Sequence, residues 1–172
     1  MAKVVDYSAV EAGRDGRRIE IRALRPTDRD DLLAAVDRTG AESLYRRFFA
    51  ARRSFSEREV AGFLNVDFAD HVALVAVIEE GGRTEIAGGG RYALIEPGIA
   101  EVAFMVVDRH QGNGIGAMLM RHLVAIAREG GLRELVAEVL AGNAAMLKVL
   151  RKSGLLMDVK SESGVMHVTL WL

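Results

Sequence analysis

Apolar and polar positions change period several times along the chain, and each change marks an element. Over Arg18–Ala23 the side chains alternate, with Ile19 and Ile21 on one face, the period of a strand. Residues 1–17 are polar and irregular and read as an N-terminal arm, leaving 18–172 as a single domain. "RPTDRDDLLAAV" then opens a helix. Thr27 is its expected N-cap, acids crowd its first turn, and Leu32, Leu33 and Val36 form its apolar stripe. "ESLYRRFFAARR" predicts a second helix, with Leu44, Phe48 and Ala51 toward one side. "SERE", residues 56–59, is a capping box that starts a third helix reaching Leu64.

After Asp70 the pattern turns to strands. Residues 71–78, 84–95 and 99–107 are apolar runs joined by the short turns "EEGG" and "EPG", which predicts an antiparallel meander. A helix follows, with Ile115, Met118, Leu119, Leu123 and Ile126 on its core face and Gly130 and Gly131 ending it. Residues 135–140 read as a strand, and Asn143 caps a helix that stops at Gly154. Residues 155–160 and 165–172 close as a hairpin over "SESG". The order predicts an α/β (α+β) fold, a mixed and mostly antiparallel sheet flanked by helices.

Composition narrows the function. The chain has 172 residues, half of them apolar, enough for one buried core. A net charge of −1 argues against a nucleic-acid partner. The absence of cysteine excludes disulfides, thiolate metal sites and cysteine nucleophiles. The first 20 residues lack an apolar segment and no run is long enough for a membrane span. No signal peptide or membrane partner is expected, and a cytoplasmic location is the default.

The segment "DRHQGNGIGAML", residues 108–119, sets Gly112, Gly114 and Gly116 just before a helix. One reading is an anion cradle. Glycine lets a ligand approach the backbone, and the N–H groups of a helix's first turn have no intrahelical partner. Gly112, Gly114 and Ala117 also satisfy the dinucleotide pattern G-x-G-x-x-A, with Glu138 downstream. That pattern belongs to the first strand of a parallel sheet, however. Here a meander precedes it, and only about 55 residues follow. A Walker A loop is excluded because no Gly-Lys-Ser/Thr follows. A tight strand-to-helix turn with no ligand stays open as the third reading.

The residues Gln111-Gly112-Asn113-Gly114-Ile115-Gly116 resemble the Q/R-x-x-G-x-G/A signature of the GCN5-related N-acetyltransferases (GNAT). The order of elements resembles that fold from about residue 19 to 172. "AEVAFMVVDRHQGNGIGAMLM", "ESLYRRFF" and "VALVAVIEE" are similar to the catalytic domain of bacterial Pat-type protein lysine acetyltransferases, which acetylate acyl-CoA synthetases. The resemblance implies a sheet splayed at the strand before the glycine loop and acetyl-CoA as co-substrate. It implies that the diphosphate rests on the loop headed by Gln111, on the N–H groups of Gly112, Asn113, Gly114, Ile115, Gly116 and Ala117. It places the pantetheine arm along Met105, Val106 and Val107, with Asn143 nearby.

Acetyl transfer needs a neutral amine, and a lysine with its ordinary pKa of about 10.4 must first lose a proton. With no cysteine, direct attack in a ternary complex is expected. Glu101 heads the apolar run "EVAFMVV" and matches the position of the glutamate base in Pat-type enzymes. Apolar neighbours are expected to raise its pKa toward the working range of a base. Glu138 is the second candidate base, on a strand five residues before Asn143. Many family members carry an acidic tyrosine where this chain has Leu150, so the group that protonates the thiolate is left open. Two other functions compete: acetylation of a small amine, and CoA binding as a sensor without catalysis.

Other features carry less. His71, His110, His122 and His167 lack ligand spacing, so no metal is expected, and His110 reads as a surface residue. Arg46, Arg47, Arg52 and Arg53 form a basic run suited to an acidic partner, a CoA phosphate or plain solvation. Gly88–Gly90 either admits the acceptor to the sheet or marks a bulge.

Overall fold

A computed structural model describes residues 3–49 and 54–172. Its strands are β1 (Ser8–Ala12), β2 (Arg18–Ala23), β3 (His71–Glu80), β4 (Arg83–Glu96), β5 (Ile99–Val106), β6 (Glu134–Leu140), β7 (Leu156–Glu162) and β8 (Val165–Trp171). The helices are α1 (Arg29–Asp37), α2 (Ala41–Phe48), α3 (Glu57–Leu64), α4 (Ile115–Glu129) and α5 (Ala144–Arg151). All strands join one sheet in the order β1-β2-β3-β4-β5-β6-β8-β7. Every neighbouring pair is antiparallel except β5 and β6. This is the expected mixed α+β architecture.

The two faces of the sheet carry different cores. On one, Leu119, Leu123 and Ala127 of α4 and Leu147 and Leu150 of α5 pack on Ile21, Leu74, Val102 and Leu135. On the other, Ala73, Val75, Val77 and Ile86 meet Leu24 and Ala35 near α1. Arg22 of β2 reaches Asp28, just before α1, through two 2.8 Å hydrogen bonds from its guanidinium. Both side chains are buried, so the pair ties α1 to the sheet.

Three expectations are corrected. The N-terminal arm is not irregular throughout: residues 8–12 pair with β2. Polar contacts hold this strand, which is why it shows no apolar alternation. Ser8 donates to Glu20, the Tyr7 hydroxyl bonds His122 Nδ1, and Glu11 accepts from His122 and Arg121. Thr27 is not the N-cap of α1; it lies in a 3-10 turn, Pro26–Asp28, and Asp28 takes the cap position. The helix α2 ends at Phe48, followed by Phe49 with a left-handed φ of 55°. Ala51, Arg52 and Arg53 lie outside the described residues. The capping box is present: Ser56 Oγ accepts from the Glu59 N–H and Glu59 accepts from the Ser56 N–H.

The glycines of β4 follow from packing. The β3–β4 register shifts between Ala76 and Val77, so a bulge sits opposite them. A Cβ on Gly90 would come within 2.8 Å of two Phe104 ring carbons and 3.1 Å of Leu123, and one on Gly88 within 2.9 Å of the Met105 carbonyl. Those two positions stay bare so that β5 and α4 can close on the sheet.

Candidate active site

The strands β5 and β6 pair only at Ile99–Glu134, Ala100–Leu135 and Glu101–Val136. Beyond Glu101 they diverge, while β5 stays paired with β4 as far as Val106. The divergence leaves backbone groups of β5 between Val102 and Val106 without a strand partner on the β6 side, open to a ligand. It also opens a cleft through the sheet.

The glycine loop sits at the mouth of that cleft. Gly112 and Gly114 hold φ values of 82° and 85°, the left-handed region that favours glycine. Gly116 is needed for a different reason: a Cβ there would stand 3.1 Å from Val149 of α5. Its lack of a side chain serves helix packing, where the sequence suggested ligand approach. The Gln111 N–H bonds the Asp108 carbonyl and the Met118 N–H bonds the Gly114 carbonyl. Between them, among the described residues, no N–H from Gly112 to Ala117 has a backbone partner. The Gln111 side chain donates to the Val106 carbonyl at 3.1 Å, fastening the loop to the end of β5. These bare N–H groups, at the positive end of α4, form a cradle for phosphate oxygens.

A cavity of about 320 Å³ runs from this cradle into the splay. It brings together most of the residues expected at the site: Met105 and Val106 on one leg, the loop residues Gln111, Gly112 and 114–117, and Glu138 and Asn143 across from them. Asn143 also caps α5, accepting from the Met146 N–H at 3.2 Å. Asn113 and Glu101 are not among the lining residues. The Val107 side chain is buried in the core beside α1, away from this cavity.

Basic side chains that sequence reasoning missed surround the cradle. Arg14, at the β1–β2 turn, donates to the Gly112 carbonyl at 3.3 Å, and Lys148 of α5 and Lys152, the residue that caps its C-terminus, reach the cavity. The lysines are one helical turn apart on a helix the sequence does reveal, so their spacing was the available signal. Arg14 gave none, because its hairpin was not recognised. Together these cations suit a ligand carrying several phosphate charges.

The two carboxylates stand on opposite legs of the splay. Glu101 is the last residue of β5 paired with β6 and is exposed; the apolar shielding expected for it is absent in the free chain. Ala103 and Met105, next along the same face, line the cavity. Glu138 is also exposed, 3.6 Å from His167 Nδ1. Leu150 is wholly buried, so its position presents no acid to the cleft.

His110 is not a surface residue: it is buried, with Nε2 2.9 Å from Glu85. Glu80, Glu85 and His110 place their donor atoms close together, but Arg38 and Arg109 already pair with these carboxylates. The cluster is an ion-pair network that fastens the turn before the glycine loop to β4.

Comparison with known proteins agrees with this geometry. Residues 34–155 match the model of the acetyltransferase (GNAT) family. An acetyltransferase from Pseudomonas aeruginosa is 34% identical over 138 residues, spanning 80% of this chain and 74% of the relative. Acetyltransferase Pat from Mycolicibacterium smegmatis is 34% identical over 157 residues, spanning 88% of this chain but only 45% of that protein. The crystal structure of the GNAT domain of S. lividans PAT superposes with a TM-score of 0.86 at 36% identity, covering 96% of this chain and 97% of that one.

Proposed function

Because the chain belongs to the GNAT acetyltransferase family, we propose that it moves the acetyl group of acetyl-CoA onto a protein lysine, with an acyl-CoA synthetase as acceptor. The observation that carries this reading is the cavity joining the bare N–H cradle to the splay, lined by Glu138 on one leg and on the other by Ala103 and Met105, which follow Glu101 along the same face of β5. The cradle suits the diphosphate of CoA, and Arg14, Lys148 and Lys152 suit its remaining phosphate charge. Pantetheine runs along the free edge of β5 at Met105 and Val106. The acceptor class rests on similarity to Pat proteins.

In the proposed reaction the acceptor enters from the open end of the splay. Glu101 takes a proton from the lysine ammonium. The free amine attacks the thioester carbonyl, a C–N bond forms, the C–S bond breaks, and CoA leaves as a thiolate. The second proton of the attacking nitrogen is lost to water as the amide forms, water returns one proton to the thiolate, and Glu101 releases its own to solvent. A thiol with a pKa near 8.5 is a tolerable leaving group without a dedicated acid, consistent with a buried leucine at 150.

Steady-state assays with an acyl-CoA synthetase and a panel of small amines test the reading. Glu101→Gln is expected to lower kcat about 100- to 10,000-fold with acetyl-CoA affinity unchanged, and Glu138→Gln to lower it less than tenfold. The reverse ranking would make Glu138 the base. Rapid acetylation of small amines with no protein modification would replace the protein acceptor.

A further inference from the structure

On the sheet face opposite α4, two guanidinium groups stand together. Arg47 comes from α2 and Arg91 from β4, and both line a small cavity with Phe48, Phe63 and Met105. Arg47 Cζ lies 4.7 Å from the Phe48 ring centroid, and Arg91 Cζ 5.5 Å from that of Phe63. Arg91 donates to the Phe63 carbonyl at 3.2 Å and to His71 Nε2 at 3.3 Å. Among the described residues, neither guanidinium has a carboxylate within 4.0 Å. Burial brings the Arg91 pKa down to about 10, and the charge of Arg47 adds to the effect. Burial also lowers that of Arg47, opposed in part by the charge of Glu101.

Two shielded cations side by side without an anion are costly, and such charges are normally paired. Neighbouring guanidinium groups do have such partners: Arg22 has Asp28, and Arg46 has Glu42 at 2.7 Å. The small cavity shares Arg47, Ala103 and Met105 with the larger one, so it opens beside the acyl end of the cleft. The missing anion is therefore within reach of a substrate seated at Glu101.

We propose that Arg47 and Arg91 form a carboxylate-binding subsite for the acceptor, so that the preferred amine carries a carboxylate near the reacting nitrogen. The planar guanidinium forks hold a carboxylate in a fixed orientation, which aims the amine at the thioester. The carboxylate can come from a free amino acid or from an acidic residue beside a protein lysine. This proposal rests on the acetyl-transfer reading above.

Two matched probe pairs test it: lysine against cadaverine, and a short lysyl peptide with glutamate beside the lysine against one with glutamine. Transfer is measured by release of free CoA, and binding by calorimetry on the CoA-loaded chain. The wild type is expected to favour the carboxylated member of at least one pair by about 10- to 100-fold in kcat/KM. The pair that shows the preference identifies the source. Arg47→Gln and Arg91→Gln are expected to remove most of it by weakening the carboxylated probe alone. Equal use of both members of each pair by the wild type overturns the subsite and leaves acetyl transfer standing. Selective binding of a carboxylated probe with no transfer keeps the subsite and rejects the transferase reading. Should the variants fail to fold, the wild-type preference decides alone, and absence of both preference and binding overturns the proposal.

Discussion

The proposed donor side and the proposed acceptor side of the cleft are built in different ways. The donor side is built from backbone: left-handed glycines, bare N–H groups and the free edge of β5. The acceptor side is built from side chains brought together from α2, α3, β3 and β4, with Arg47, Arg91 and three mutually packed phenylalanines. A backbone site depends on local chain geometry and so leaves a short motif in the sequence. A side-chain site depends on which residues the fold happens to bring together, and leaves no contiguous trace.

Perturbing each side separately sharpens that contrast. The largest stability effect is expected behind the acceptor side, at the Arg22–Asp28 pair that holds α1 to the sheet. Asp28→Ala strands a buried guanidinium and should lower unfolding free energy by about 3–5 kcal/mol in denaturant titrations. The pair also gives an acid signature. Burial pushes the Asp28 carboxyl up, but the Arg22 hydrogen bond, the Arg25 N–H and the Arg22 charge outweigh it and leave its pKa below the usual value. The folded value therefore lies below the unfolded one, near 3.9. The stabilisation is full above that pH and is lost as pH falls through the folded value. Asp28→Ala should flatten this part of the stability profile below about pH 4; an unchanged slope would remove Asp28 from the account.

On the donor side, Gly114→Val forces a β-branched residue to a φ of 85°. A loss of about 1–2 kcal/mol in stability is expected, with a larger proportional loss of acetyl-CoA affinity as the first turn of α4 reorients. Undiminished affinity in calorimetry would break the link between loop geometry and the donor. The smallest effect is expected at Ser56→Ala, which removes the cap of α3. It should cost about 1 kcal/mol and leave acetyl-CoA affinity unchanged, because α3 meets Arg91 through the Phe63 carbonyl and contributes no residue to the larger cavity.

What the sequence revealed follows the same division. The meander, α4, α5 and the Ser56 capping box were legible because hydrophobic period and cap chemistry are local. Gly112 and Gly114 were legible for the same reason. The first strand was missed because hydroxyls, Glu11 and His122 hold it in place of an apolar face. Thr27 was misread because Asp28, paired with Arg22 on the preceding strand, took the cap position after a 3-10 turn. Gly116 faces Val149, a contact no local pattern contains. Arg91 stood unnoticed inside an apolar strand, since only the fold sets it beside Arg47 and Phe63.

The most direct test of the donor site compares acetyl-CoA with acetyl-pantetheine, which keeps the thioester and arm but lacks the diphosphate and phosphorylated adenosine, and with acetyl-3'-dephospho-CoA, which keeps the diphosphate. Calorimetry on the intact chain is expected to show acetyl-pantetheine binding at least ~100-fold more weakly than the dephospho compound, because the N–H groups from Gly112 to Ala117 then have nothing to hold. Equal affinity for the two would contradict the central claim that this cradle grips the diphosphate.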